Sequence, residues 1–336
     1  MAPTSQGSEP PANPGRFTAG YFVSRCLHCA AELGVADALG DATKSVAELA
    51  RDTGADADAL GRILRLLASY GVFGLRGHVV SQTALSSLLR SDHPQSMRDF
   101  ARMFGLSVNW RSAEMLLHSL RTGEAAAPFA VEGGFWGRLA EHPEEARLFD
   151  SAMLGKAKVH IPAVLSVYDF SPFEAVADIG GGQGHLIRAV LQQTPNARGI
   201  LFDQPDVVEA ARTGGDEDGR LRFQGGDFFK DDLPKADIYV LMYIIHDWAD
   251  APARQIIAAV RKHAGPQAKL LLIESEISDD EGPDWTKTLD IVMMALFAGR
   301  QRTTEQYREL LHAEGFELQR VINTGTDITI FEALAL

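Results

Sequence analysis

The sequence contains very few cysteines. Cys26 and Cys29 are the only two in 336 residues, and they form a single Cys-x-x-Cys pair. A structural zinc site usually needs four Cys or His ligands, commonly supplied by two such pairs. Because the surrounding stretch has helical spacing, we interpret both residues as small buried positions of a helix. A redox motif is the less favoured alternative.

Positive charge and long apolar runs are also scarce. The 32 Lys and Arg against 45 Asp and Glu give a net charge of −13, which argues against a phosphate-binding surface over most of the molecule. No apolar run reaches the roughly 18–20 residues of a membrane helix, and the first residues lack the basic and apolar regions of a signal peptide. We therefore expect a cytoplasmic protein that binds neither nucleic acid nor a membrane.

The first third of the chain predicts a small helical module. Residues 1–16 are rich in Pro, Gly and Ser, so we expect a disordered tail there. Ser45 and Glu48 have the spacing of a helix-capping box. The predicted elements have the order of a winged helix: a helix from Phe17 to Leu39, a helix after Ser45, a helix from Asp56 to Tyr70, a hairpin over 72–80 and a helix from Thr83 to Leu89.

The charge of this module distinguishes a DNA-binding role from a role in packing and dimerisation. A winged helix that reads DNA carries net positive charge on its recognition helix. Between Asp41 and Asp92, however, six basic residues are balanced by six acidic ones. The neutral balance favours a packing and dimerisation module. A regulator that combines a winged helix with a metabolite-sensing domain stays open as an alternative.

A glycine-rich turn begins the second half. The apolar run Ala175 to Ile179 predicts a buried parallel strand, four of the next five residues are glycine, and His185 to Gln193 has helical spacing. Strand, glycine turn and helix open a doubly wound α/β fold, and the turn can receive a ligand on bare backbone. The spacing fits neither the dinucleotide fingerprint nor a P-loop.

Acidic and aromatic residues follow the later strands of this domain. Asp203 ends a second strand, where an acid can accept hydrogen bonds from ribose hydroxyls. Asp227 and Phe228 follow a third strand, and they can bind and cover an adenine. His246 follows a fourth strand, and Glu274 lies in a fifth. Because ligands bind at the carboxyl ends of parallel strands, His246 occupies the position of a general base.

Five motifs follow one another in the second half of the chain. They are Asp178-Ile-Gly-Gly-Gly-Gln-Gly, Leu201-Phe-Asp-Gln-Pro, Gly225-Gly-Asp-Phe-Phe, His246-Asp-Trp and Gly299-Arg-Gln-Arg-Thr. With these motifs in the family's order, the sequence resembles the class I S-adenosylmethionine-dependent small-molecule O-methyltransferases, which include caffeic-acid, polyketide and phenazine enzymes. The resemblance covers nearly the whole chain after Phe17.

The resemblance implies an architecture and an assembly. The expected fold is α/β, with a Rossmann-like, mostly parallel sheet whose last strand is antiparallel, joined to a helical winged-helix domain. The expected domains are a dimerisation domain over 17–105, a helical linker with part of the substrate pocket over 106–168, and an S-adenosylmethionine-binding domain over 169–336. A homodimer is implied, in which one subunit can reach the other's acceptor pocket.

The family's functional residues transfer to matching positions. His246 is implied as the catalytic base and Glu274 as the residue that orients it. The implied cofactor-binding residues for S-adenosyl-L-methionine are Asp178, Gly180, Gly182, Asp203, Gln204, Gly226, Asp227 and Phe228. The residues expected in the pocket of a small aromatic acceptor are Trp110, Met153, Asp247 and Met294. No metal is expected, because the Mg²⁺-dependent catechol enzymes resemble a different subgroup.

The implied chemistry needs a base and little else. A phenol has a pKa near 10, and a histidine with a pKa of about 6.5 can remove its proton when a carboxylate fixes its tautomer. Two departures from plant relatives affect this site: Met242 stands where they often have lysine, and Gln301 where they have a second glutamate. Asp247 or Glu276 could therefore share the orienting role. Transfer to a heteroaromatic nitrogen, or a non-methylating reaction with the same cofactor, also stays open.

Overall fold

The computed structural model describes residues 14–215 and 219–336. Most of the predicted disordered tail, residues 1–13, lies outside the described residues. The chain divides into two compact units, Met1–Leu106 and Ser107–Leu336.

The first unit is helical with a small three-stranded antiparallel sheet, whose middle strand is the last of the three along the chain. Its core contains Leu49, Leu64, Leu67 and Val80, each fully buried. Its elements are α1 (Gly15–Thr18), α2 (Tyr21–Glu32), α3 (Val35–Leu39), β1 (Lys44–Ser45), α4 (Val46–Thr53), α5 (Ala57–Ser69), β2 (Gly74–Arg76), β3 (Val79–Ser81), α6 (Ala84–Ser87) and α7 (Arg98–Phe104).

The predicted long helix from Phe17 to Leu39 is wrong as a single element. Gly34 has a φ of +64°, in the left-handed region, and this ends α2 and turns the chain into α3. The capping box is confirmed: the Ser45 side chain accepts a hydrogen bond from the Glu48 backbone N–H, and the Glu48 carboxylate accepts one from the Ser45 backbone N–H. The first hairpin strand lies over Gly74–Arg76 instead of starting at Val72.

The second unit contains a seven-stranded sheet and ten α-helices within its described residues. A 3-10 turn covers Ile245–Asp247. The α-helices and strands are α8 (Ser107–Glu114), α9 (Leu116–Thr122), α10 (Ala127–Ala130), α11 (Gly134–Glu141), α12 (Pro143–Val167), β4 (Ala175–Ile179), α13 (His185–Gln193), β5 (Arg198–Asp203), α14 (Pro205–Arg212), β6 (Leu221–Gly225), β7 (Ile238–Met242), α15 (Asp250–His263), β8 (Lys269–Glu274), α16 (Trp285–Phe297), α17 (Thr304–Ala313), β9 (Phe316–Asn323) and β10 (Thr329–Ala335).

The strand order of this sheet is β6-β5-β4-β7-β8-β10-β9. The first five strands are parallel, and β10 is antiparallel to both β8 and β9. The predicted fold class, a mostly parallel sheet with an antiparallel end, is confirmed. Because parallel strands end at one edge, Ile179, Asp203, Gly225, Met242 and Glu274 close the strands along a single side of the sheet.

Both faces of the sheet are covered. Alternate residues of β7 lie in different cores: Tyr239 and Leu241 in one, Ile238 and Val240 in the other. This is the burial expected of parallel strands with helices on both sides. Among the described residues, every helix is too short or too polar to cross a membrane.

Glu332 is a charged residue inside the sheet. It lies in β10, and only 2% of it is exposed. Its carboxylate accepts hydrogen bonds from the Tyr168 hydroxyl at 2.7 Å and from Arg320 Nη2 at 2.6 Å, and Lys269 Nζ lies 3.2 Å away. Burial alone would raise the pKa of Glu332, but these three partners outweigh it and hold the pKa at about 2.

We expect Glu332→Gln to lower the free energy of unfolding at pH 7 by about 2 kcal/mol, because two cations lose a buried counter-charge. The pKa of Glu332 in the folded protein lies below its usual 4.5. The contribution of Glu332 to the free energy of unfolding is therefore complete above pH 4.5 and is lost as the pH falls toward 2. Denaturant unfolding of both proteins at pH 7 and pH 4 measures this. The difference between them should shrink at pH 4.

Glu317→Gln is the matched control, because Glu317 lies exposed on the neighbouring strand. It should leave the stability unchanged at both pH values. A Glu332→Gln protein as stable as the wild type at pH 7 would contradict the assigned role.

Candidate active site

The glycine turn after β4 contains glycines of two kinds. A Cβ on Gly180 would lie 2.5 Å from Ile244 Cδ1, and one on Gly181 would lie 2.5 Å from the Asp178 carboxylate, so both positions are closed by packing. Gly182 has a positive φ, +57°, and a Cβ added to Gly182 would have no atom within 4 Å. Gly182 is therefore the residue of this turn whose bare backbone borders open space, where a ligand can approach.

Asp203, at the end of β5, is tied to this turn. Its Oδ2 accepts a hydrogen bond from the Gly182 N–H at 2.8 Å, and its Oδ1 accepts one from the Gln204 N–H at 2.7 Å. Burial raises the pKa of Asp203, while these two donors oppose the rise. The carboxylate thus fixes the position of Gly182.

Asp178 lies deeper in the same corner. It is 2% exposed, and its Oδ2 receives no hydrogen bond from the described residues. Burial, and then the nearby charge of Asp203, raise the pKa of Asp178 to about 7. Near neutral pH its carboxyl is therefore partly protonated, which reduces repulsion between the two acids.

The residues after β6 form a loop next to Asp203. The Gly226 N–H donates to the Asp203 carbonyl at 2.9 Å. The Asp227 carboxylate accepts from Lys230 Nζ at 2.7 Å and from the Phe229 N–H at 2.9 Å, and these donors lower the pKa of Asp227. The rings of Phe228, Phe229 and Trp248 pack edge to face, with centroids 4.8 to 6.0 Å apart.

His246 lies in the 3-10 turn after β7 and is 5% exposed. Its Nδ1 is 3.3 Å from Glu274 Oε2 and 3.2 Å from Gln301 Nε2. Its Nε2 is 3.4 Å from Asp247 Oδ1. The structure therefore brings together the two predicted catalytic residues, with Gln301 and Asp247 as further neighbours of the ring.

The neighbours of Nδ1 determine the tautomer of His246. Glu274 Oε2 and Gln301 Oε1 receive no hydrogen bond from the described residues in the present orientation of the amide. As placed, Gln301 Nε2 faces Nδ1 and can donate to it only if Nδ1 carries no hydrogen. The two ends of an amide are assigned from their partners, and with the amide turned round a hydrogen on Nδ1 would face Gln301 Oε1 while Nε2 would keep the lone pair that a base requires.

Burial changes the proton affinities in this cluster. It lowers the pKa of His246 to about 3, helped by the charges of Lys156 and Arg302. It raises the pKa of Glu274 to about 8 and that of Asp247 to about 7. The ordinary pKa of about 6.5 that the sequence suggested for this histidine does not apply to the buried ring. A histidine with this pKa is neutral at pH 7.

Arg302 and Glu274 hold the backbone around His246. Arg302 is 1% exposed, and its guanidinium donates to the carbonyls of Ile245 and Trp248 and to the Asp250 carboxylate. Glu274 Oε1 accepts from the N–H groups of Ile244 and Ile245 at 3.1 and 2.8 Å. Arg302 lies in the last of the five sequence motifs, but the motif alone did not indicate this role.

The other predicted residues have different surroundings. Glu276 accepts hydrogen bonds from Thr304, at the start of α17, so its carboxylate serves that helix. The predicted pocket residues Trp110, Met153 and Met294 lie on α8, α12 and α16, and each is partly buried. Helix α16 packs against both α8 and the His246 turn. The contacts of these three side chains with an acceptor stay a prediction.

The sequence reasoning also missed several polar residues near His246. Lys156 and His160, four residues apart on α12, Tyr243 after β7 and Asp327 between β9 and β10 form one connected group. The only available signal was the pair of ionisable residues at helical spacing on α12. A possible metal-ligand group among the described residues, His142, Glu144 and Glu145, contains none of the predicted site residues.

Comparison with known proteins identifies the family. Residues 115–317 match the O-methyltransferase domain and residues 16–92 the O-methyltransferase dimerisation domain. A phenazine O-methyltransferase from Lysobacter antibioticus is 41% identical over 94% of this chain and 93% of its own length. A mitomycin biosynthesis 6-O-methyltransferase from Streptomyces lavendulae is 35% identical over 91% and 89%.

A solved structure has the same fold throughout. Human N-acetylserotonin methyltransferase, in complex with S-adenosylmethionine, superposes with a TM-score of 0.86 at 28% identity, covering 98% of this chain and 99% of that chain. The chain therefore belongs to the family of S-adenosylmethionine-dependent O-methyltransferases.

Proposed function

We propose that this enzyme methylates a hydroxyl group of a small aromatic molecule, with His246 as the general base. The observation that carries the proposal is the buried imidazole next to Glu274, at the sheet edge that also bears Gly182 and Asp203. One relative is named for a phenazine, a planar aromatic compound. This favours an aromatic acceptor here.

The residues of the glycine turn fit the family's cofactor. Gly182 leaves room beside its backbone, and Asp203 supplies a carboxylate next to that room. We propose that Gly180 and Gly182 hold the methionine end of the cofactor, that Asp203 binds the ribose hydroxyls, and that Gly226, Asp227 and Phe228 bind the adenine. Asp178 and Gln204 complete the site. S-adenosylmethionine, when bound, supplies a methyl group already activated by a sulfonium.

His246 and Glu274 act together on the acceptor. Nε2 of His246 takes the hydroxyl proton, and the hydrogen on Nδ1 faces Glu274 and Gln301. The imidazolium that forms inside a buried site needs a counter-charge, and ionised Glu274 supplies it. Because the pKa of Glu274 is raised to about 8, the rate should increase with pH toward that value. Deprotonation makes the acceptor oxygen the better nucleophile.

His246→Ala should lower the turnover of a phenolic acceptor by about 10²–10⁴, because the phenol then has no base. His246→Gln fills similar space without a base and should be similarly slow. Calorimetry should detect unchanged S-adenosylmethionine binding in both variants. Single-turnover rates and melting temperatures measured on the same samples separate loss of chemistry from loss of folding.

His312→Ala, on the exposed side of α17, is the control and should keep full activity. A folded His246→Ala enzyme with near wild-type transfer at pH 7 would end the assignment. Amine acceptors test the alternative of N-methylation. A variant that is slow on phenols and unimpaired on an aromatic nitrogen would favour that alternative.

Asp203→Ala should weaken S-adenosylmethionine binding roughly 10- to 100-fold, because the ribose loses a charged partner and Gly182 loses its anchor. Calorimetry without added metal measures it. Asp206→Ala, an exposed acid in the first turn of α14, should bind like the wild type. Equal affinity of Asp203→Ala and the wild type, or an absolute need for Mg²⁺, would contradict the proposed site.

We also propose a homodimer formed through the first unit, whose match is the family's dimerisation domain. Phe17 and Phe22 are 86% and 54% exposed, and burial of such rings drives association. Sedimentation at micromolar concentration should give a dimer, and Phe17→Glu with Phe22→Glu should shift it to monomer. Val79→Glu, at another exposed apolar position of the unit, should leave it dimeric. A monomeric wild type would refute the proposal.

A further inference from the structure

A second group of polar side chains lies next to His246, and the proposed reaction leaves it without a role. His160 Nε2 is 2.6 Å from Asp327 Oδ1, and His160 Nδ1 is 2.5 Å from the Tyr243 hydroxyl. Lys156, one turn before His160 on α12, holds its Nζ 3.8 Å from the centre of the Tyr243 ring. The ring of Tyr243 is in turn 5.7 Å from that of His246.

Tyr243 is fixed in an uncommon conformation. Its φ is +59°, in the left-handed region that bulky residues seldom adopt. Its N–H donates to the Ile273 carbonyl, and its hydroxyl bonds to His160, which Asp327 holds from the other side. The Tyr243 ring is therefore a rigid surface beside the base, and strain of this kind is concentrated at functional sites.

Lys156 lies over that surface without an ion pair among the described residues. The three acids whose charges act on Lys156 have other partners: Asp327 contacts His160, while Asp247 and Glu274 contact His246. Burial lowers the pKa of Lys156 more than those acids raise it. An ammonium in such a place is costly unless an anion accompanies it.

The ammonium and the proposed base have one neighbour in common. Lys156 and His246 both border Tyr243, and the charge of Lys156 acts on His246. An aromatic acceptor whose hydroxyl faces His246 would therefore lie close to Lys156. A second, ionised substituent on that acceptor could meet the ammonium, where a charge-assisted hydrogen bond is strong.

We propose that Lys156 is a specificity-determining residue that selects aromatic acceptors bearing a carboxylate in addition to the hydroxyl. Tyr243, His160 and Asp327 are positioning residues that keep the ammonium at this place. The inference rests on the proposed function, since it assumes that the acceptor hydroxyl lies at His246.

Paired probes that differ only in charge test this: 4-hydroxybenzoate and 6-hydroxy-2-naphthoate against their carboxamides. We expect the wild type, saturated with S-adenosylhomocysteine, to bind at least one acid tenfold or more tightly than its amide. Lys156→Met, of similar length, should bind that acid roughly 10- to 100-fold more weakly and leave amide binding nearly unchanged. Lys156→Arg should restore most of the preference.

Lys158→Met is the matched control, since Lys158 is exposed on the same helix. It should keep the wild-type ratio of acid to amide affinity. Tyr243→Phe keeps the ring but removes the bond to His160, and should lower that ratio without abolishing it. A loss of stability alone would weaken acid and amide binding equally and leave the ratio unchanged, so the ratio separates positioning from folding.

Three results would overturn the proposal. In the first, the wild type binds every acid no better than its amide, or binds none of the acids. In the second, the Lys156→Met protein keeps the preference for the acid; in the third, it loses as much affinity for S-adenosylhomocysteine as for the acid. The last would assign Lys156 to the cofactor. Failure of the proposed function looks different, because the wild type would then form no aryl methyl ether from any probe. The wild type could instead methylate a carboxamide in a reaction that requires His246, and bind the acid no better than the amide. The proposed function would then stand, and only the role of Lys156 would be rejected.

Discussion

The site depends on the burial of a short segment, residues 244–248, between the side chains of Glu274 and Arg302. Backbone polar groups inside a protein must find partners, and this segment lies outside the α-helices and strands, with a single 3-10 turn. Glu274 accepts from its N–H groups and Arg302 donates to its carbonyls. The proposed base, His246, therefore sits on a backbone held from both sides. The same Glu274 carboxylate lies next to His246 with its second oxygen, so one residue serves the fold and the proposed chemistry.

Burial also determines the electrostatics of the site. Four ionisable groups in one poorly hydrated space cannot all be charged at ordinary cost. Burial favours neutral His246, raises the pKa of Glu274 and Asp247, and lowers that of Lys156. A ligand that supplies a group of opposite charge would make the charged form of each of these residues more favourable. Reactivity at this edge of the sheet is thus coupled to what binds there.

The glycine turn illustrates how packing and binding requirements combine in a few residues. Gly180 and Gly181 are closed by Ile244 and Asp178, whereas Gly182 borders open space. Ile244 belongs to the segment that precedes His246, so the glycine turn and the His246 turn pack directly against each other. A larger residue at position 180 would disturb both. The proximity of the two turns follows from β4 and β7 being neighbours in the sheet.

The sequence by itself determined the element types and the family. Alternation of apolar runs with helical segments predicted the sheet, and the order of the motifs at strand ends identified the O-methyltransferases, because these features are local in the chain. It failed where a local pattern was ambiguous, as at Gly34, whose left-handed conformation divides a continuous amphipathic stretch. Only the tertiary structure decided that Gln301 and not Glu276 adjoins His246, that the histidine pKa is low, and that Lys156 lies over Tyr243. These properties depend on burial and on distances between residues far apart in the chain, and a linear pattern specifies neither.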